Sequence, residues 1–210
     1  MSMDLFPLIA AERVRLADEL GGLSAAEWEA PSLCAGWTVH VVAAHLNTPW
    51  EVSLPSVLLD VARARSLDRG FDRVARRVAG RLDPAACVAG LRDHAGSRFT
   101  PPGVGAEAPL TDVLVHGADM LVPSGRSVAI DPVALAASLE FLAGGRAKGF
   151  VPKGRTEGLA FEATDLDARV GRGRTVVRGP ALALCSAMCG RASMLDRLSG
   201  DGVPVLAGRF

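Results

Sequence analysis

Apolar residues recur at helical spacing through the first 149 residues of the chain. In the segment from Asp4 to Leu20, Leu5, Ile9 and Leu16 fall along one face, and a glycine pair ends the pattern. Similar spacing predicts six further helices. Two carry histidines: the helix of His45 ends near Asn47, because Pro49 follows, and the helix of His116 begins at Pro109 or Thr111. The other four are Pro55–Arg65, Asp68–Gly80, Pro84 to about Phe99, and Pro132 to Gly144.

Polar residues with short side chains mark where these helices begin. Ser24 and Glu27 have the spacing of a capping box, and Thr38 precedes the segment that carries His45. Asp83 and Asp131 each stand before a proline, the order typical of an N-cap and the first helical position.

The pattern changes after residue 149, where short apolar runs alternate with glycines. It predicts strands at Leu159–Ala163, Thr175–Val177 and Val203–Leu206, a hairpin turn at Gly171–Arg174, and a helix from Pro180 to about Met188. The chain is therefore expected to be mainly α: a helical bundle over residues 1–149, followed by a small α/β lobe over residues 150–210.

Composition narrows the classes of function. The 210 residues are 49% hydrophobic, and the 23 Lys and Arg residues equal the 23 Asp and Glu residues in number. This balance does not favour nucleic-acid binding, and the arginines between Arg63 and Arg81, which alternate with acids, read as a solvated helical face. No apolar run approaches the roughly 20 residues of a membrane span, and no signal peptide is apparent, so a cytoplasmic protein with reduced cysteines is expected.

Three polar residues in apolar surroundings are candidate metal ligands. Asp112 and His116 lie four residues apart, on one helical face, and His45 lies on a separate predicted helix. Taken alone, an Asp–His pair at this spacing is more often a surface charge pair. Together with His45 it offers three ligands and an open position, the arrangement typical of catalytic zinc.

Two motifs resemble those of the mycothiol-dependent maleylpyruvate isomerase family, which belongs to the DinB-like metal-binding bundles. The first is Pro31–Val39 followed by Ala44–Leu46, and the second is Asp112–Asp119. Weaker similarity continues through Gly190-Arg191 and Ser199–Asp201.

The resemblance implies a DinB-like four-helix bundle that binds a divalent metal, zinc or else nickel, and uses mycothiol as co-substrate. Many family members carry Glu at the position of Asp112, so the shorter carboxylate is a departure. The roles it implies are metal binding by His45, Asp112 and His116, cofactor contact by Trp37, and catalytic roles for Arg191 and Asp119. Each of the last three residues has a structural alternative: Trp37 as a packed core aromatic, Arg191 as a surface arginine, and Asp119 as an ordinary acid on a helix surface.

The expected activity is that of a metal-dependent transferase or isomerase that uses a thiol on a small electrophile. A bound metal lowers the pKa of the thiol, and the resulting thiolate attacks an electrophilic carbon of the substrate. If the thiolate is expelled after bond rotation, the result is cis–trans isomerisation; if it stays bound, the result is S-transfer. Two alternatives stay open: a non-catalytic binding or regulatory module, and a hydrolase with the same ligands. The arginine-dominated, tyrosine-free composition is typical of a GC-rich genome, such as an actinobacterial one, and family members often form homodimers.

The remaining polar candidates are interpreted structurally. His40 and His94 are expected at the surface, and Arg126 is a weak candidate for anion binding. Cys34 is expected to pack its loop onto the core, and the other cysteines are expected to be buried, namely Cys87, Cys185 and Cys189.

Overall fold

The computed structural model describes residues 3–126 and 128–210. Most of these residues are helical. The helices are α1 Phe6–Gly21, α2 Ala25–Glu29, α3 Val39–Glu51, α4 Leu54–Ala64, α5 Leu67–Ala79, α6 Pro84–Asp93, α7 Glu107–Leu121, α8 Pro132–Ala143, α9 Ala181–Met188 and α10 Gly202–Ala207; the strands are β1 Leu159–Ala163, β2 Arg169–Gly171 and β3 Thr175–Gly179. No helix in this part of the chain is both long and apolar enough to cross a membrane.

The chain divides into two compact units, which differ from a simple split along the sequence. One comprises Met1–Phe99 with Asp119–Val128, and the other comprises Thr100–Ala118 with Ala129–Phe210. The domain boundary expected between residues 149 and 150 stays a prediction.

The first unit is helical. Helix α3 packs against α2, α5 and α6, while α1 packs against α6 and α4 against α5. The apolar stripe of α1 is buried as its spacing predicted, with Ile9, Leu16 and Leu20 fully covered. Burying a side chain of this size contributes about 1.5–3 kcal/mol, so the stripe fixes the face that α1 turns inward.

The second unit contains a small mixed sheet beside α8 and α9. Strand β1 is central, antiparallel to β2 and parallel to β3, with Phe161 opposite Val170 on one side and Val177 on the other. Phe161 and Leu159 are fully buried. A mainly helical chain with a small C-terminal α/β portion is what the sequence predicted.

The four predicted helix caps are confirmed. Ser24 and Glu27 form a reciprocal capping box, and the side chains of Thr38, Asp83 and Asp131 each accept a hydrogen bond from the first turn that follows.

Two predicted helix ends, and one start, are wrong. Helix α3 continues through Pro49 to Glu51, because Trp50 stacks on His94 with ring centroids 4.6 Å apart and holds the last turn. Helix α6 ends at Asp93 rather than near Phe99, and Nη1 of Arg13 donates to the carbonyls of residues 94, 95 and 97. Helix α7 begins at Glu107, before Pro109, since proline is tolerated in a first turn.

Two predictions for the C-terminal part also fail. Residues 171–174 do not form a hairpin turn between paired strands; they link β2 to β3 on opposite edges of β1, and the amide of Gly173 donates to the carbonyl of Leu159. The segment predicted as a last strand is helix α10. Its preceding residue, Asp201, accepts a hydrogen bond from the amide of Val176, so the chain turns at the sheet edge instead of extending along it.

Candidate metal centre

His45 lies on α3 among aromatic side chains. The ring of Trp37 is tilted against it, with centroids 5.2 Å apart, and the ring of Phe71 from α5 meets it edge-on at 6.4 Å. The imidazole is half-buried. These contacts restrict the orientation of a side chain that sequence reasoning selected only by its motif.

Hydrogen bonds to α5 position the loop that carries Trp37. The indole Nε1 of Trp37 donates to Asp72 Oδ1 at 2.8 Å, and Nε of Arg76 donates to the same oxygen at 2.8 Å. Nη2 of Arg76 also donates to the carbonyl of Gly36, which closes the network on the loop. The sequence analysis interpreted this arginine-rich stretch as a solvated helical face and missed the network. Phe71, an aromatic residue within the stretch, was the one sign that part of this helix packs against other residues.

Asp112 and His116 occupy one face of α7, as the i, i+4 spacing requires. Nε2 of His116 lies 3.5 Å from Oδ1 of Asp112; the His116 side chain is 12% exposed and that of Asp112 is 33% exposed. Nη2 of Arg191 approaches Nδ1 of the same imidazole at 3.5 Å, the long limit for a hydrogen bond.

His45, Asp112 and His116 could together hold a metal ion. Each offers one ligand atom, and these atoms all lie within 4.8 Å of one another. A tetrahedral zinc ion with bonds of about 2.1 Å separates its ligand atoms by about 3.4 Å. The His116–Asp112 separation is close to that value, and two imidazoles with one carboxylate are ordinary ligands of a divalent ion, so the chemistry of the donor set fits one.

Asp119 is fully buried, so the surface interpretation of this residue is wrong. Its carbonyl accepts a hydrogen bond from the amide of Leu33, in the loop that carries Trp37. A carboxylate in such surroundings requires compensating polar contacts. Its catalytic role stays a prediction.

The two candidate arginines lie in different surroundings. Arg126 is paired with Glu19 and Glu27 and supports the entry to α2. Arg191 is half-buried, and its Nη1 donates to the carbonyl of Cys189 at 2.8 Å while Nη2 faces His116. Arg191 therefore remains the better candidate for substrate contact.

The other histidines are structural. Nε2 of His40 lies 2.7 Å from the carbonyl of Leu82, and the ring of His94 stacks on Trp50. Both residues are half-buried, so the expectation that His94 is exposed is wrong.

The cysteines are buried as expected, apart from the half-buried loop residue Cys34. Burial raises the pKa of Cys87 to about 12 and that of Cys185 well above its ordinary value. These two thiols are therefore protonated at neutral pH and packed as small apolar groups.

Comparison with known proteins finds a family model that resembles part of the chain. Residues 9–97 match the family model described as the mycothiol maleylpyruvate isomerase N-terminal domain. No curated protein matches significantly.

Two solved structures share the fold: the mycothiol-dependent maleylpyruvate isomerase and a histidine-to-alanine mutant of it. Each has a TM-score of 0.53 and 19% sequence identity, covering 94% of this chain and 95% of the other. The DinB-like helical fold is thereby confirmed. Residues 9–97 are thus similar to the N-terminal domain of the mycothiol maleylpyruvate isomerases, in the part of the chain that contains the first motif, Pro31–Leu46.

Proposed function

We propose that this protein is a divalent-metal-dependent isomerase or transferase that uses mycothiol on a small electrophilic substrate. The observation that carries the proposal is the approach of His45, Asp112 and His116 to within 4.8 Å at their ligand atoms. The family model and the two solved structures support the choice of thiol, because their names specify mycothiol and maleylpyruvate isomerisation.

The donor set suits zinc, for which two imidazoles and one carboxylate leave a coordination position open. When bound, such an ion lowers the pKa of a thiol so that a thiolate is available at neutral pH. The protein's own part is orientation: Trp37 and Phe71 restrict the ring of His45, and the neighbouring Asp112 restricts that of His116.

Arg191 is proposed to bind the substrate. A guanidinium can only donate hydrogen bonds, so its contact with His116 requires the lone pair of Nδ1. If Nε2 held the ion, the neutral imidazole would carry its proton on Nδ1, and this acceptor would be lost. Arg191 is then available for a substrate oxygen, which it can bind with two parallel hydrogen bonds if the group is a carboxylate.

Asp112 determines how tightly the ion is held. It is one methylene shorter than the glutamate common in the family. Since a zinc–oxygen bond of about 2.1 Å leaves little slack, Asp112 would hold the ion less adaptably than a glutamate at this position would. Asp119, fully buried three residues after His116, is proposed as a supporting acid within the same helix.

The activity test follows isomerisation of maleylpyruvate with mycothiol present, with mycothiol omitted, and after treatment with a chelator. We expect turnover only with both thiol and metal. Asp112→Asn should lower kcat/KM at least tenfold, since it removes a charged ligand, whereas the exposed control Asp167→Asn should retain wild-type turnover.

The outcomes separate the alternatives. Hydrolysis of an ester that proceeds without thiol, but depends on Asp112, indicates that water replaces the thiol. Turnover that persists after chelation contradicts the proposal, and no turnover by a folded protein supplied with mycothiol and metal favours a non-catalytic module.

A further inference from the structure

Exposed leucines concentrate on helix α4 of the first unit. Leu54, Leu58 and Leu59 are each between 44% and 59% exposed. One side of α4 packs against α5, and Ala64 is the one residue of α4 that is buried. Single exposed apolar residues are ordinary, but an apolar face without cover marks an interaction site. Within the described part of the chain, the exposed side of α4 is such a face.

The residues along this side form a pattern that complements itself when it is reversed. Leu54, Leu58 and Ala62 recur every four residues, so they form one ridge of the helix. Glu51, at the end of α3, precedes the ridge, and Arg65, the C-cap of α4, follows it; both are exposed. Equal sequence distances from Leu58 therefore lead to a large and a small apolar residue, and then to an acid and a base.

The charges at the two ends of this ridge are available to a partner. Glu51 and Arg65 form no ion pair with any described residue. Asp60, on the side of α4 that contacts α5, is instead paired with Arg77. The outer charges of α4 are thus free, while the inner one is neutralised within the hairpin.

We propose that this ridge of α4 is the contact surface of a symmetric dimer, in which it lies antiparallel to the same ridge of a second copy of the chain. A two-fold axis uses one patch on both chains, so the patch must complement itself. With the axis at Leu58, Leu54 packs on the partner's Ala62, and Glu51 faces the partner's Arg65. A second copy is favoured over a lipid surface because an anionic membrane would repel Glu51 at one end of the ridge.

The size of the patch sets the expected strength of the dimer. Stable interfaces bury about 800 Å² on each partner, which is more than one face of a short helix offers. We therefore expect a dimer that dissociates on dilution and weakens at high salt, since the ion pairs at its rim are screened. Because α4 carries none of the proposed metal ligands, dimerisation should be the same with and without chelator.

The test is sedimentation velocity of the full chain over a concentration series. We expect Leu58→Gln to raise the dissociation constant of the dimer at least tenfold. The control Val14→Gln, which replaces an exposed apolar residue of α1, should dimerise as the wild type does. Leu58 is exposed, so Leu58→Gln should keep the wild-type unfolding temperature of the monomer.

A charge swap tests the antiparallel register. Glu51→Arg and Arg65→Glu should each weaken the dimer severalfold, and the double variant should recover most of the loss because opposite charges again face each other. A wild type that stays monomeric at its highest soluble concentration, equal dimerisation by Leu58→Gln, or no recovery in the double variant overturns the proposal. Binding of a monomeric wild type to phosphatidylglycerol vesicles through Leu58 would also overturn it and assign the surface to lipid.

Discussion

Single hydrogen bonds position the aromatic ring beside His45. Asp72 accepts a hydrogen bond from the indole of Trp37. The Asp72 side chain is 40% exposed, so this bond is partly hydrated. A bond of this kind contributes about 1 kcal/mol net. Its larger effect is on orientation, since a displaced indole no longer restricts the imidazole.

Trp37→Phe keeps an aromatic ring and removes the donor. We expect about 1 kcal/mol loss in the free energy of unfolding, measured by urea denaturation, together with weaker zinc binding. The comparison variant Asp72→Asn retains an acceptor oxygen and should lose less. A Trp37→Phe protein with wild-type stability and wild-type zinc affinity would show that the bond does not position the ring.

At this scale, the sequence predicted the residues whose chemistry is local. His45, Asp112 and His116 follow from motif and helical spacing. Asp72 does not, because its significance depends on an indole 35 residues away, a contact that is not encoded in the neighbouring residues.

At the scale of elements, helix α2 depends on a charged cap. The backbone amide of Ser24, the Ser24 hydroxyl and then Arg126 lower the pKa of Glu27 to about 2, from 4.5. A carboxylate with a depressed pKa stabilises the fold fully above its unfolded-state pKa, and this contribution is lost as the pH falls towards 2.

Glu27→Gln should therefore be less stable than the wild type at pH 7 and should approach it at pH 2.5. Urea midpoints at both pH values measure this difference. The matched variant Glu29→Gln, on the same helix and exposed, should show no comparable convergence. A gap for Glu27→Gln that is equal at both pH values contradicts the charged-cap explanation.

The link between β2 and β3 requires glycine. A Cβ on Gly173 would overlap the carbonyl oxygen of Gly158, which cannot move away cheaply because it is backbone. We expect Gly173→Ala to destabilise the protein by about 2–3 kcal/mol, whereas Gly96→Ala, which meets no atom within 4 Å, should cost little. Equal midpoints of thermal unfolding for the two variants would contradict this crossing.

Helix starts were predictable because a cap acts within three residues. The continuation of α3 through Pro49 was not, since it depends on Trp50 stacking against His94 from another helix. The position of β3 was equally hidden: Thr175–Gly179 has a strand composition, but its partner edge on β1 is selected by a long-range pairing.

At the scale of the molecule, hydrophobic periodicity was enough to predict a mainly helical chain with a small sheet near its end. The division into compact units was beyond it. Residues 119–128 group with the first 99 residues, while residues 100–118 group with the C-terminal part, so one helix contributes to both. Such a grouping arises from contacts between distant segments.

The proposed catalysis depends on an ion held by His45, Asp112 and His116. Elemental mass spectrometry of untagged protein, purified without chelator, measures it directly in the wild type, His45→Ala, His116→Ala and the control His40→Gln. We predict about one zinc or nickel ion per wild-type chain, retained in His40→Gln and lost in both alanine variants. A folded wild type that contains no metal, even after incubation with zinc, would contradict the metal centre and the activity built on it.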